Sequence, residues 1–545
     1  MALVGAMQQT YDLIISDITL GPDSGDGEAI SEAKNRIKGS GLKAQSTDSS
    51  VYRCSVDARR KNNVRLVYSV LCTMHGEVPD KDALSRLHAA FPAAPRKIED
   101  LPTPKKSEHS PVIVGMGPAG IFAALVLARC GMEPILIERG DDVRERIRRR
   151  DHFYKTGELD LDSNIQFGAG GAGTFSDGKL VTRVNDPRCS LVLSELARLG
   201  APADILRRAR PHVGTDLLPD IIENAAEEIR TLGGKVLYRT RLEGFETKNG
   251  KITAVKTQNG SIPCSACVLA TGHSARDVYA MLDGYAIARE PKPFSVGVRI
   301  EHLTEDIDRA MYGSLAGHSA LGHAEYNLSY RVNGRGVYTF CMCPGGEVVC
   351  GSTEEGGVVT NGMSPYMRDG KNSNSAVAVS VNPEDVGGTV EKAIEFQRML
   401  EKRAYELGGG GYTAPITTVG DFLNHKAHTR PSTVKPTYMG GNVKTADFGE
   451  LFPRFVLDSL RGGIKAFGRT LSGFDSDSAV LTGAETRTSA PLRILRNAET
   501  LTAAGLDNLY PCGEGAGYAG GITSAAVDGI KVAEKIVERA ADGAL

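Results

Sequence analysis

The stretch 112–139, VIVGMGPAGIFAALVLARCGMEPILIER, decides how most of the chain is read. Three apolar residues run into Gly115, an apolar helical pattern opens at Pro118 and Ala119, and a second apolar strand, EPILIE, closes on Glu138 and Arg139. Gly115 makes a tight turn, Gly117 lets the backbone approach a pyrophosphate, Gly120 lets helix pack on strand, and the helix N-terminus faces phosphate charge. Glu138 stands about 20 residues on, where an acid holds a ribose hydroxyl. Strand, turn, helix, strand and acid together predict a dinucleotide site at the head of a parallel α/β sheet.

Working outward, LLPDIIENAAEEIRTLGG followed by KVLYRT is a further helix-to-strand step, GFETKNGKITAVKTQNG reads as a hairpin that begins after Leu242, and CSACVLATGHS is a buried strand ending in a loop. Residues 292–382 change character: KPFSVGVRIEH, GVYTFCMCPGGEVVCGS and SAVAVSV suggest an antiparallel sheet, and 391–407 an amphipathic helix. Upstream, residues 92–111 carry five prolines among charged and small residues and read as a linker. Before it, VYRCSVDARRKNNVRLVYSVLC predicts a hairpin, and helices near EAISEAKNRIK and DALSRLHAAF complete a small α+β domain.

A length of 545 residues implies two to four domains, and 41% hydrophobic with 24% charged residues is a globular composition. A net charge of -2 without long like-charged blocks argues against nucleic acid or an anionic membrane as partner, leaving a small molecule or a protein. The amino terminus has no signal-peptide pattern and no stretch reaches the roughly 18 apolar residues of a span, so a cytoplasmic location is expected. Ten cysteines then read as reduced thiols.

Two more glycine clusters test the dinucleotide reading. GAGGAG, 168–173, leads into no helix, and GAGYAG, 515–520, opens a helix that is followed by no further strand and acid, so neither is a second complete site. The Rossmann turn, the Ala270-Thr271-Gly272 loop and a late strand ending in Gly513-Glu514 before Gly520-Gly521-Ile522 jointly resemble FAD enzymes of the glutathione-reductase superfamily. In that reading the dipole of the helix from Ile522 stabilises negative charge on the reduced flavin. NIQFGAGGAGTFSDGKL, KPFSVGVRIEH, FCMCPGGEVV, NGMSPYMRDGKNSNSA, LTGAETRTSAPLRI and YPCGEGAGYAGGITSAAVDG are similar to one family, the FAD-dependent dehydrogenases with a small amino-terminal α/β domain. The resemblance implies FAD contacts from Gly115, Gly117, Gly120, Glu138, Thr271, Gly272, Gly513, Glu514, Gly521 and Ile522, with Gly170, Gly171, Gly173 and Thr174 along the cofactor. Pro118, Ala119, Arg139, Leu242, Ala270 and Gly520 flank those positions and join the expected set. The family commonly has an acid where this chain has Ala169, so any role of that acid does not carry over.

Several side chains are candidates for chemistry. Thr482, Glu485 and Arg487 precede the final FAD strand; Glu485 is either an acid or base and Arg487 a fork for a carboxylate, or the two form a structural pair bracing domains. Cys341 and Cys343 alternate on a strand and so face one side, with Cys343 either a thiol acting near the flavin or a small buried apolar residue. Cys264 and Cys267 point to opposite strand faces, which argues against a metal or redox pair. Arg299 and His302 are substrate contacts or structural residues of the inserted sheet. His425 and His428 match no full metal site. RERIRRRD, 144–151, approaches the FAD phosphates or forms a solvated helix face.

The expected architecture is α/β: a Rossmann-type FAD-binding domain with an inserted, mainly antiparallel β cap domain, preceded by a small α+β domain. The expected bounds are 1–105 for the amino-terminal domain and linker, 106–290 and 440–545 for the two parts of the FAD domain, and 291–439 for the cap. The expected activity is transfer of hydride between flavin N5 and a small, anionic or conjugated organic substrate. FAD would be bound tightly and non-covalently, with NAD(P)H or an electron-donor protein as reductant. The alternatives are a flavoprotein acting on RNA through Arg59, Arg60 and Lys61, and a non-catalytic redox-sensing protein that binds a partner through residues 1–100.

Overall fold

The computed structural model describes residues 9–61, 63–94, 96–426 and 429–545. These fall into two units, and no helix among the described residues is long and apolar enough to cross a membrane.

The first unit joins the chain up to 95 with Pro202–Pro211 and Asp308–Ala324. Its four-stranded sheet has the order Ala44–Asp57, Arg65–Gly76, Gln9–Leu20, Ala89–Ala90, each neighbouring pair antiparallel. Strand Arg65–Gly76 buries every second residue, from Leu66 to Met74, because one face carries the core. Helix Asp26–Gly39 covers that core with Ala29, Ala33 and Ile37, spaced four apart on one face. Pro202–Pro211 joins through backbone bonds along the outer strand, Cys54 N to Arg207 O at 2.8 Å and Ala209 N to Cys54 O at 2.9 Å. The helix expected over DALSRLHAAF stops at Leu87: Asp80 caps its start, His88 turns left-handed at φ 50°, and the two alanines become an edge strand.

The second unit is built on a five-stranded parallel sheet, ordered Leu509–Pro511, Cys267–Leu269, Val112–Val114, Ile135–Ile137, Lys235–Leu237. Helix Pro118–Arg129 is buried from Ala119 to Ala128, which is why its sequence is apolar all round. Helix Ile522–Asp542 lies against it, and a Cβ on Gly529 would come within 2.1 Å of the Ala119 carbonyl, so glycine is what permits the approach. A three-stranded antiparallel meander, Leu242–Lys248, Lys251–Thr257 and Gly260–Pro263, follows.

A seven-stranded sheet supplies the rest: Ser329–Val332, Arg335–Cys343, Asn372–Val381, Phe294–Leu303, Val480–Glu485, Ala414–Thr418, Val443–Thr445. Every pair in it is antiparallel except the last. Helix Arg454–Thr470 packs on it, with Gly462 and Gly463 seated against Val332 and Val337. Residues 443–485 were expected in the returning half of the FAD domain; here Val443–Thr445 and Val480–Glu485 are strands of the seven-stranded sheet. The reason is pairing: Val480–Glu485 lies between Phe294–Leu303 and Ala414–Thr418.

Candidate functional site

A cavity opens at the carboxyl ends of the parallel strands and extends to the seven-stranded sheet. At one end lies the turn after Val112–Val114. Gly115 has φ 101°, and a Cβ there would stand 2.5 Å from the Ala270 carbonyl; on Gly120 it would stand 1.9 Å from the Gly115 carbonyl. Gly117 is different: a Cβ there meets nothing within 4 Å, so its open side is cavity, at the N-terminus of Pro118–Arg129, which has no side-chain cap. Gly520 and Gly521 repeat the arrangement at the N-terminus of Ile522–Asp542, again open and uncapped. Two uncapped helix N-termini with bare backbone in front of them suit an anionic diphosphate at one and a developing negative charge at the other.

Glu138 binds the turn itself. Its Oε2 accepts from Met116 N at 2.8 Å, and Oε1 from Gly140 N at 3.0 Å and Gly168 N at 2.9 Å. A carboxylate has about four acceptor directions, so one remains for a ribose hydroxyl. Arg139 lies over the Phe167 ring at 4.4 Å and pairs with Asp277. Leu242, Ala270, Thr271, Gly272, Gly171 and Gly173 also reach the wall. Glu514 is half-buried at the cavity and has no hydrogen-bond partner among the described residues; burial raises its pKa to about 7 against the pull of Lys292. An acceptor left free in this way suits a ribityl hydroxyl, and the open glycines suit the diphosphate, so the residues present fit FAD.

Four of the expected contacts stand behind the wall. Gly120 packs helix on strand, and Gly513 donates its N–H to Asp528 at 2.7 Å, with Ala119 against it. Gly170 packs on Ile222, and Thr174 is buried, donating to the Ala169 carbonyl at 3.0 Å. Ala169 is itself fully buried, so the departure from the family's acid puts no group into the cavity.

The basic run 144–151 does not reach the cavity, which corrects the phosphate-contact reading. Arg144 pairs with Asp220 and Glu223, Arg148 and Arg149 with Glu145, and Arg150 with Asp151. Arg146 is one residue the sequence reading missed. It is 0% exposed and donates to the carbonyls of Asn164 at 2.8 Å, Ile165 at 2.8 Å, Gly168 at 3.3 Å and Ala169 at 2.7 Å, and to Thr174 Oγ1 at 3.0 Å. It clamps the whole glycine loop from behind, and Gly168 is bare because a Cβ would sit 2.4 Å from Arg146 Cδ.

The far wall holds the candidates for chemistry. Glu485 and Arg487 both reach it, yet each binds a different partner, so neither the mutual pair nor the free fork holds. Glu485 Oε1 and Oε2 accept from Arg299 at 2.5 and 3.2 Å, and Oε2 from Thr360 Oγ1 at 3.1 Å. Arg487 is committed to Glu401 at 2.9 and 3.1 Å and to Thr353 at 2.5 Å. Glu401 also takes both arms of Arg276; burial pushes its pKa up, and the two guanidiniums outweigh that and hold it well below the carboxylate range. Arg299 is fully buried behind Glu485, His302 faces away and bonds the Phe474 carbonyl, and Thr482 is buried in its strand.

A β-bulge between Phe340 and Cys343 overturns the expected alternation of the two cysteines. Cys341 takes φ 46° and reaches the cavity, while Cys343 is fully buried behind it. Lys179 and His273 were not anticipated. Lys179 Nζ binds Asp177 Oδ2 at 2.6 Å and the Met342 carbonyl; Asp177 is pushed up by burial but brought down to about 2 by Lys179 and Arg368. His273 is kept neutral, its pKa lowered to about 4 by burial and by Arg487 and Arg276. Cys264 and Cys267 are buried with raised pKa values, His425 is exposed on the surface, and His428 lies outside the described residues. Among the described residues no cluster of three or more His, Cys, Asp or Glu could hold a metal.

Residues 293–488 match the family model described as "FAD-dependent protein, C-terminal domain-like", a span that covers the cap sheet through Glu485. An uncharacterized protein of Clostridium beijerinckii (strain ATCC 51743 / NCIMB 8052) is 47% identical over 496 residues, 90% of this chain and 92% of that one. Among solved structures, glycine oxidase from Bacillus cereus ATCC 14579 overlaps at 11% identity and a TM-score of 0.33, over 80% of this chain and 98% of its own. The flavin-dependent brominase Bmp2 overlaps at 11% and 0.37, over 80% and 79% respectively. Matched to the Clostridium protein along nearly its whole length, the chain belongs to that protein's family; it carries the FAD-dependent C-terminal domain over 293–488, and its cofactor is FAD.

Proposed function

We propose that the protein is an FAD-dependent oxidoreductase that moves a hydride between flavin N5 and a small organic substrate. The observation that carries this reading is the far wall: Lys179, His273, Cys341 and Glu485 line the FAD cavity beyond any position the dinucleotide turn needs. Bound FAD supplies two-electron chemistry there. The chain would hold it with the open backbone at Gly117, the remaining acceptor direction of Glu138 and the free carboxyl of Glu514. The N-terminus of Ile522–Asp542 would favour negative charge at the ring.

The cations that line the cavity narrow the substrate class. Arg139 is paired with Asp277, Lys179 with Asp177 and Arg487 with Glu401. A carboxylate substrate would have to compete with an acid for one of these cations, and would leave the buried Asp177 with Arg368 alone or the buried Glu401 with Arg276 alone. This favours an uncharged, conjugated molecule over the anionic one. His273, neutral at pH 7, can give or take a hydrogen bond from such a substrate without importing charge.

The test is an anaerobic visible spectrum of the FAD-loaded protein, before and after NADH and then NADPH, followed by unsaturated neutral acceptors. Bleaching by a nucleotide and recovery with an enone or imine supports the reading. Turnover confined to carboxylate substrates, or reoxidation by none of the organic acceptors, refutes it.

A further inference from the structure

The bulge at Cys341 places two thiols where the mechanism above uses neither. Cys341 is a non-glycine residue held left-handed, and the residues that hold it are cations: Arg299 Nη1 donates to the Cys341 carbonyl at 2.9 Å, and Lys179 Nζ to the Met342 carbonyl. Arg299 is fully buried and Lys179 partly so, and each is anchored by an acid, Glu485 and Asp177 respectively. The turn brings the Cys343 thiol against Cys341, where it donates to the Cys341 carbonyl at 3.4 Å. Cys341 therefore lines the cavity, and Cys343, two residues on, is covered by protein.

We propose that Cys341 and Cys343 form a dithiol–disulfide couple in the wall of the FAD cavity, storing a second electron pair beside the flavin. This rests on the reading that FAD occupies the cavity and exchanges electron pairs. In the oxidising direction a bond forms between the two sulfurs and the S–H bond of Cys343 breaks. The two electrons and that proton pass to the oxidised flavin, and a thiolate on Cys341 makes charge balance on both sides. The reverse step cleaves the disulfide and returns the proton to Cys343.

The electrostatics agree with this division of roles. The adjoining Cys343 thiol is the largest influence lowering the Cys341 pKa; burial opposes it, and Lys179 and Arg299 add to it. Cys341, with burial, pushes Cys343 well up, so the buried sulfur keeps the proton that the step must deliver. A cavity-lining thiolate backed by a protonated thiol is the arrangement thiol–disulfide exchange requires. None of the remaining cysteines of the second unit has a lowered pKa: Cys264, Cys267, Cys350 and Cys512 are raised by burial, and Cys130 and Cys189, also raised, stand apart from the cavity.

The test uses the full chain loaded with FAD and oxidised in air. Anaerobic dithionite titration counts electron pairs per flavin, and iodoacetamide labelling with mass spectrometry reports Cys341 and Cys343 before and after. The couple predicts two electron pairs per flavin, with the 341–343 peptide protected before reduction and doubly labelled after it. C343S and C343A are each expected to fall to one pair and to leave Cys341 labelled throughout. One pair per flavin in the natural chain, with both cysteines labelled equally before and after, overturns the couple while leaving the flavin reading intact. A chain that shows no visible absorbance after reconstitution overturns both together.

Discussion

Arg146→Met tests the structural logic of the site most directly. The substitution keeps much of the side-chain length but removes all five hydrogen bonds to the glycine loop. The Gly168 and Ala169 carbonyls keep one donor each, from Gly171 N and Thr174 Oγ1, whereas the Asn164 and Ile165 carbonyls keep none among the described residues. Two orphaned buried acceptors cost about 1–3 kcal/mol each. Against this, the change releases a guanidinium buried without an acid in hydrogen-bond contact, a burial severe enough to lower its pKa to about 9. The net expectation is a loss of about 2–4 kcal/mol, felt first in the loop 164–174. Because Gly171 and Gly173 of that loop form cavity wall, FAD affinity should fall at least about tenfold, the equivalent of about 1.4 kcal/mol. Urea unfolding of the apoprotein and flavin-fluorescence quenching of the reconstituted one measure the two effects separately. Arg146→Lys should recover part of each, since an ammonium retains three donors but not the planar fork. Unchanged unfolding midpoint and unchanged FAD affinity in Arg146→Met would refute the clamp.

Three further outcomes are expected. Gly115→Ala puts a Cβ 2.5 Å from the Ala270 carbonyl at φ 101°, so FAD retention after gel filtration should be lost, and retention equal to the natural chain would contradict the turn reading. Glu514→Ala removes a charge-assisted acceptor worth about 1.5–3 kcal/mol, so equilibrium titration should show FAD affinity roughly 10- to 150-fold weaker, and less than twofold would remove Glu514 from the site. Glu301→Gln should gain on the natural chain as pH rises: burial lifts Glu301 to about 7 from 4.5, so folding is progressively penalised between those two values as the unfolded chain ionises first. The penalty, complete above pH 7, amounts to roughly 3 kcal/mol and is absent in the glutamine variant; parallel unfolding free energies at pH 4.5 and 8 would contradict it.

The parts of the molecule legible in the sequence are those fixed by neighbours in the chain. The turn at Gly115–Gly120 and the helices 390–408 and 522–542 announce themselves because glycine conformation and 3.6-residue periodicity are local properties. The far wall is not local. Arg299 meets Glu485 across 186 residues and Arg487 meets Glu401 across 86, so which acid each guanidinium takes depends on strand order that no single segment encodes. Strand periodicity placed both Cys341 and Cys343 on one face, and one extra residue in the bulge undid that. Arg146 was concealed by its company: a fully buried arginine in a run of solvated ones leaves the bare Gly168 as its one sequence trace.

The parallel sheet closes through Leu509–Pro511 against Cys267–Leu269, and the whole cap is strung between those two strands. During synthesis the chain must therefore carry an incomplete nucleotide site while more than two hundred intervening residues are made, and the long loop so formed closes only once Leu509–Pro511 has emerged. The second uncapped helix N-terminus arrives with that same final segment. Cofactor capture is thus a late event of biogenesis, and the half-built sheet presents the open edge of Cys267–Leu269 until it happens, the interval in which this protein is most exposed to aggregation.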